Sequence, residues 1–222
     1  MIKSYSICPQ AAGKYISSLY GTKKNIWIGT DEGIYIYAYA TETFTYFDLT
    51  TPNNVRITSI VNHILQDKDG NLWFSTNGQG LFRYNLSKNY LEQYEFTSAF
   101  GIVASTMADS DNQIWALTNQ GESGVYKLNK AENKFEPFGL LYNAGNHHSQ
   151  ALAMLEDSEQ TLWLGTWECG LQKIDKYTRQ TTTYLHPTDG KGVTHIHSLM
   201  EYAPHQLLIG SDDGLLLFNT LT

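Results

Sequence analysis

The sequence predicts an all-β protein, a β-propeller of about five four-stranded blades. The prediction depends on a recurring motif, on its spacing, and on short alternating segments between turn residues. The motif has a large apolar anchor, and successive anchors lie 46, 42, 48 and 45 residues apart. At this repeat length each unit makes one four-stranded blade. The anchors are Trp27, Trp73, Trp115, Trp163 and, where the aromatic residue is replaced, Leu208.

The second repeat illustrates the four strands expected in every blade. Its alternating segments are residues 59–66, 72–76, 81–85 and 91–96, as expected for an up-and-down sheet. The polar string DKDG after the first segment favours a tight hairpin turn. We therefore expect residues 1–222 to form one propeller domain. Its approximate blades are 13–48, 56–96, 101–138, 148–185 and 193–219, with an additional strand at 3–7.

Residues 67–85, DKDGNLWFSTNGQGLFRYN, also invite two other interpretations. A calcium-binding EF-hand loop needs glycine at its sixth position and glutamate at its twelfth, where this chain has Leu72 and Gly78. A dinucleotide-binding turn needs a third glycine and a following helix, but Arg83 stands there, inside a predicted strand. The sequence therefore argues against both interpretations.

The repeated tryptophans and glycines are expected to have structural roles. A large side chain at the same place in successive sheets can fill the space between wedge-shaped blades. A glycine recurs where the second strand turns into the third, which is a place for positive φ or close backbone approach. These glycines are Gly33, Gly80, Gly124, Gly170 and Gly214.

The two ends of the chain leave two arrangements open. Residues 3–7 resemble a lone fourth strand, and the last repeat stops after its third strand, at residues 215–219. The N-terminal strand would complete the last blade and close a ring of five, removing exposed sheet edges. Alternatively, the five repeats are a fragment of a larger propeller, whose open edges would pair with another chain or associate with a copy of this one.

Composition excludes several classes of partner. The formal net charge is −7 and the pI is near 5.4, which argues against nucleic acid. There is no apolar run long enough to span a membrane, and the N-terminus is too polar for a signal peptide. Cys8 and Cys169 form no metal-binding spacing, so no cofactor or metal is expected, and their oxidation state is open.

The second repeat resembles a known family. The pattern D-G-x-L-W-x-x-T-x-x-x-G-L is similar to the two-component regulator propeller repeat, and the resemblance extends over essentially the whole chain. It is formed by Asp69, Gly70, Leu72, Trp73, Thr76, Gly80 and Leu81. The resemblance implies the periplasmic sensor region of a hybrid two-component receptor of Bacteroides type. It also implies that immunoglobulin-like, membrane, kinase and output regions follow the propeller, and that the ligand is an oligosaccharide or another small molecule.

The expected ligand site lies in two loops of the fourth repeat. The loop TWECG at residues 166–170 places a tryptophan outside the usual anchor position, and the preceding inter-blade loop reads YNAGNHHSQ. An aromatic platform beside amide and imidazole groups suits a sugar. The alternative is that the tryptophan packs on its own blade and the histidines are solvated. The candidate residues are Tyr142, Asn146, His147, His148, Trp167 and Glu168.

Metal binding and catalysis are weaker alternatives. His195 and His197 alternate on a predicted first strand and would share a face, so a metal pair with His147 or His148 is an open alternative. No G-x-S-x-G elbow is present, and nothing in the sequence pairs Glu168 with Asp212 as glycosidase carboxylates. A propeller lyase would need a histidine and a metal-holding carboxylate. We therefore expect a non-catalytic sensor, with a propeller enzyme or a protein-interaction ring as the alternatives.

Overall fold

The computed structural model describes residues 15–96, 101–118, 124–139, 141–142, 150–186, 192–193 and 195–221. Every regular element in these ranges is a β-strand, which confirms the all-β prediction. None of these residues belongs to a helix with the length and apolarity that crossing a membrane requires. The chain divides near residue 100 into two compact units. Whether all 222 residues form one domain stays a prediction.

The first unit contains two antiparallel four-stranded sheets, each in chain order. The first sheet consists of β1 (Ile16–Gly21), β2 (Asn25–Thr30), β3 (Gly33–Ala38) and β4 (Thr43–Tyr46). The second consists of β5 (Val61–Gln66), β6 (Leu72–Thr76), β7 (Leu81–Asn85) and β8 (Tyr90–Tyr94). The four strands predicted in the second repeat are all present, with the DKDG turn between β5 and β6.

The second unit contains three sheets. The third sheet consists of β9 (Val103–Ala108), β10 (Ile114–Thr118), β11 (Val125–Asn129) and β12 (Lys134–Pro137). The fourth consists of β14 (Ala151–Glu156), β15 (Leu162–Thr166), β16 (Leu171–Ile174) and β17 (Gln180–Tyr184), with β13 (Leu141–Tyr142) added parallel to β17. The fifth has three described strands, β18 (Ile196–Ala203), β19 (Gln206–Ser211) and β20 (Gly214–Asn219). The predicted strand at residues 3–7 lies outside the described residues.

Within each unit, the core lies between successive sheets. Trp27 from the first sheet packs with Phe74 from the second, at a ring-centroid distance of 5.7 Å. Trp163 from the fourth sheet packs edge-on against Phe218 from the fifth, also at 5.7 Å. Each sheet is therefore a blade with an apolar face against its neighbour, as in a sheet-on-sheet core.

A buried aspartate anchors the tryptophan in three blades. In each, one carboxylate oxygen accepts a hydrogen bond from the indole Nε1 six residues later, and the other accepts from the backbone N–H four residues later. The indole distances are 2.7 Å for Asp67–Trp73, 3.0 Å for Asp109–Trp115 and 2.7 Å for Asp157–Trp163. Asp67, which begins DKDG, therefore does more than form a turn. It accepts a hydrogen bond from a buried indole N–H, which would destabilise the fold if it had no acceptor.

The first blade lacks this arrangement. Its turn between the first two strands is one residue shorter, and Thr22 takes the place of the aspartate, with its single hydroxyl oxygen accepting from the backbone N–H of Asn25 at 3.0 Å. The indole Nε1 of Trp27 is buried and has no hydrogen-bond partner among the described residues. A threonine has no second oxygen with which to reach the indole.

Close backbone approach explains the glycine that precedes the third strand. The five repeated glycines all have positive φ. A Cβ added to Gly80 would lie 2.3 Å from the carbonyl oxygen of Tyr94, and one added to Gly170 would lie 2.5 Å from that of Tyr184. At these two turns any side chain would clash with the backbone at the end of the fourth strand, so only glycine fits before the third strand.

The fifth sheet leaves large apolar side chains exposed. Its inner face contributes Leu207 and Ile209 to the core shared with the fourth sheet. The exposed residues on its three strands are Met200, Tyr202, Leu215 and Leu217. In the other blades of this unit, the corresponding space is occupied by the next sheet.

Candidate functional site

The candidate site is assembled from a repeated pair of positions in the blades. The residue that begins the turn between the second and third strands donates its backbone N–H to the carbonyl oxygen of the residue just before the first strand of its own blade. The pairs are Asp31–Tyr15 at 3.1 Å, Asn77–Ile60 at 2.9 Å, Trp167–Gln150 at 2.9 Å and Asp212–His195 at 3.3 Å. Trp167 and Asp212 are thus equivalent residues of the fourth and fifth blades.

The turn position also contacts the residue that precedes the next first strand along the chain. Asn77 forms a β-bridge with Ile102, and Trp167 forms the same bridge with His195. As a result, the side chains at the turn position of one blade and at the start of the next blade lie side by side. The scaffold therefore brings together residues from three segments: the TWECG turn, the THIHS segment and the Asp212 turn.

Trp167 stacks on His195. The ring centroids are 3.6 Å apart and the planes differ by 24°. Trp167 is 41% exposed, so the indole is held by this contact and still presents surface to solvent. An aromatic ring fixed in this way is a suitable platform for a flat apolar ligand surface.

Asp212 joins the two histidines. Its carboxylate accepts one hydrogen bond from Nδ1 of His195 and another, at 2.7 Å, from Nε2 of His197. One potential ligand atom from each of the three side chains lies within 4.8 Å of the others. The two imidazoles and the carboxylate therefore converge on one point.

A β-bulge lets both histidines reach the same carboxylate. The register between β18 and β19 shifts between Ile196 and Ser198, so His197 occupies the bulge. The same shift recurs at Ser17 and Asn62. The Oγ of Ser17 donates to the carbonyl oxygen of Val61 at 2.8 Å, and the Nδ2 of Asn62 donates to the carbonyl oxygen of Val103 at 2.9 Å. In the fifth blade the bulge residue turns instead to the aspartate of its own blade.

The electrostatics of the cluster favour an ionised carboxylate. The hydrogen bonds from His195 and His197 lower the pKa of Asp212, and they outweigh the opposing effect of desolvation. The Asp212 side chain is 52% exposed, that of His197 48% and that of His195 19%. The Asp212 carboxylate is therefore an accessible, ionised acceptor with two imidazole neighbours.

The TWECG turn holds Trp167 in place. The hydroxyl of Thr166 donates to the carbonyl oxygen of Gly170 at 2.7 Å and accepts from the backbone N–H of Cys169 at 3.1 Å. Glu168 is exposed and has φ of +70°, while Cys169 is buried. The turn thus projects Trp167 and Glu168 outward; the question of a bond to Cys8 lies outside the described residues.

The predicted site residues are only partly within the described structure. Tyr142 belongs to β13 and pairs with Thr181, and Trp167 and Glu168 lie in the turn described above. Asn146, His147 and His148 lie outside the described residues, so their participation stays a prediction. Sequence reasoning did not place Asp212 with the histidines, although aligning the repeats one period apart puts Asp212 where Trp167 stands in the preceding blade.

A concavity elsewhere in the same unit is less suited to a ligand. It has a volume of about 540 Å³ and is lined by residues that include Lys127, Lys176 and Arg179. Lys176 is ion-paired with Glu156 and lies 3.6 Å from Asp109. Burial lowers the pKa of Lys176, but these acidic partners outweigh burial and raise it overall, so its charge is already engaged in holding two blades together.

Comparison with known proteins supports the repeat assignment. The sequence profile described as "Two component regulator propeller" matches residues 54–78. A protein named histidine kinase P4, from Formosa agariphila, is 27% identical over 219 residues, which cover 93% of this chain and 16% of that protein. This chain therefore spans less than a fifth of that relative.

Solved structures support the propeller fold. The extracellular domain of the putative hybrid two component system BT4673 from B. thetaiotaomicron has a TM-score of 0.74 at 23% identity, with coverage of 93% of this chain and 26% of that one. Virginiamycin B lyase from Staphylococcus aureus has a TM-score of 0.64 at 17% identity, with coverage of 95% and 71%. At these identities the likeness establishes the fold and not the activity. The predicted resemblance is confirmed at residues 54–78, where this all-β chain of propeller blades matches the two component regulator propeller repeat.

Proposed function

We propose that this chain is a ligand-sensing, non-catalytic segment of the propeller region of a hybrid two-component receptor. The observation that carries the proposal is the two component regulator propeller match at residues 54–78. The similarity to a histidine kinase over 93% of the chain supports the same conclusion. By analogy with the extracellular domain of BT4673, the segment lies outside the cytoplasmic membrane, in the periplasm.

The proposed ligand is an oligosaccharide bound at the Trp167 turn. The indole is ordered by its stack on His195 and remains 41% exposed. Glu168 lies in the same turn as Trp167, and Asp212 lies in the equivalent turn of the fifth blade. Their carboxylate oxygens can accept hydrogen bonds from sugar hydroxyls. The proposal also includes Asn146, His147 and His148 from the preceding inter-blade loop, and Tyr142, which lies on β13 beside Thr181.

Signalling would follow from a change in the relative populations of two arrangements of the receptor. A ligand that contacts loops from two successive blades favours the arrangement in which those loops are correctly spaced. Trp167 belongs to the fourth blade and His195 to the fifth, so a ligand on this platform contacts both. No bond in the ligand needs to be broken in this mechanism.

The proposed partner is the remainder of the receptor. The exposed apolar side chains of the fifth sheet, which include Met200, Leu215 and Leu217, are suited to packing against a further blade. An exposed strand such as β20 can also pair with an additional strand. Further propeller segments, or failing those a second copy of this chain, would cover this surface.

A second candidate function is that of a propeller lyase. It is favoured by the hydrogen bond between Asp212 and His195, since a histidine oriented by a carboxylate is a suitable general base. Virginiamycin B lyase shares the fold. Turnover of a streptogramin or glycan by the purified chain, lost in His195→Gln, would establish this alternative and overturn the non-catalytic assignment.

The sensor proposal is tested by thermal unfolding against a panel of host and plant oligosaccharides. A ligand at about 100 times its Kd adds roughly 2.7 kcal/mol of stability. We expect a shift in the wild type that is lost in Trp167→Ala and retained in Tyr177→Ala, where an exposed aromatic residue elsewhere in the same unit is removed. A panel without any shift, or equal loss in both variants, would contradict the proposed platform.

A further inference from the structure

The fifth blade contains a set of side chains whose arrangement the scaffold does not require. In the first, second and fourth blades, the residue before the first strand, the bulge residue and the turn residue are Tyr15/Ser17/Asp31, Ile60/Asn62/Asn77 and Gln150/Leu152/Trp167. None of these three described sets contains two imidazoles and a carboxylate. A blade of this type can therefore fold without such a set, so the presence of His195, His197 and Asp212 in the fifth blade needs another explanation.

Stability does not supply that explanation. Two of the three side chains are about half exposed, and exposed ion pairs contribute only about 0–1 kcal/mol. Holding two imidazoles against one carboxylate also costs side-chain entropy. An arrangement of small net benefit that occurs in one of the four blades compared is more typical of a site than of a structural contact.

The donor set has the chemistry of a metal site. Two imidazole nitrogens and one carboxylate oxygen are ligands of divalent first-row metals, and three protein ligands leave a position open for water or a ligand. One atom from each side chain lies within 4.8 Å of the others, so small rotations would bring all three to bonding distance of one ion. The indole of Trp167, stacked on His195, restricts the imidazole as an outer-shell partner does.

We propose that His195, His197 and Asp212 bind one divalent transition-metal ion of the zinc type, with Trp167 orienting His195. The ion lies where the fourth and fifth blades meet and takes the place of the histidine–aspartate hydrogen bonds. This site does not depend on the sensor assignment, because metal binding is measured without any sugar.

The test is a titration of the purified, chelator-treated chain with Zn²⁺ by calorimetry and with Co²⁺ by visible absorption. One ion per chain is expected, and His197→Ala and Asp212→Asn should each weaken binding by about tenfold or more, the scale of losing a supporting group at a metal site. His205→Gln, in the turn between β18 and β19, is the matched control and should bind as the wild type does.

Two further measurements separate this site from adventitious binding. Co²⁺ should quench the fluorescence of the wild type more than that of Trp167→Phe, because the indole contacts a ligand residue. Asp212→Glu retains the carboxylate and should recover binding that Asp212→Asn loses. Equal affinity in His197→Ala and wild type, equal weakening in His205→Gln, or a preference for Ca²⁺ over Zn²⁺ would overturn the proposal.

Discussion

The hydrogen bond between Asp157 and Trp163 offers a direct test of how the blades are stabilised. The indole Nε1 of Trp163 donates to Asp157 at 2.7 Å, and Trp163 is only 1% exposed. Asp157→Ala leaves that N–H without an acceptor in a place that water does not reach. A net hydrogen bond to a charged group contributes about 1.5–3 kcal/mol, so we expect Asp157→Ala to lower the free energy of unfolding by about 2–3 kcal/mol.

The other partners of Asp157 add less to this value. The other carboxylate oxygen accepts the backbone N–H groups of Glu159 and Thr161 at 3.1 and 2.8 Å. These groups lie in a surface turn, where water can replace the carboxylate. Release of the buried carboxylate from its own desolvation cost partly offsets the loss. The indole contact therefore dominates the expected change.

A double-mutant cycle isolates that contact. Trp163→Phe, Asp157→Ala and the double variant are compared by urea unfolding followed by circular dichroism. Neighbouring residues in one network show coupling of about 0.5–3 kcal/mol, and we expect about 1.5 kcal/mol or more here. Trp27→Phe is an internal control, because the indole N–H of Trp27 has no partner to lose. Coupling below about 0.5 kcal/mol would refute the reasoning.

Three further predictions follow from the same geometry. Thr22→Asp should supply the acceptor that Trp27 lacks and raise the free energy of unfolding by about 1 kcal/mol; a loss of stability in urea unfolding would mean that the shorter turn cannot direct a carboxylate to the indole. Gly170→Ala should lower the free energy of unfolding by more than Gly70→Ala, since both positions have positive φ but only a Cβ at position 170 would lie 2.5 Å from a backbone carbonyl oxygen. Equal losses of unfolding free energy in the two variants would argue against the close approach. Burial lowers the pKa of His63, so the folded state resists protonation, and stability should fall as pH drops below the unfolded pKa of about 6.5; the same pH dependence in His63→Gln between pH 7 and 5 would contradict this.

The repeated motif alone was sufficient to predict the class of fold. The sequence has a period of 42 to 48 residues, a recurring anchor, and turn residues between alternating segments. These are local patterns, so they predict strands without any knowledge of tertiary contacts. The strands of the second repeat and the DKDG turn followed directly from them. Trp167 was recognisable as an unusual residue because it interrupts the same pattern.

The candidate site required the tertiary structure because its residues come from separate turns. Trp167, His195 and Asp212 meet only because the turn of one blade bridges the start of the next and the fifth blade folds back on its own first strand. The bulge at His197 adds a further shift that alternation along a strand does not anticipate. The same holds for the buried aspartates, which the sequence presents as turn residues. Sequence determined which strands form, whereas packing between strands and blades decided which polar groups meet, because those contacts depend on register and distance.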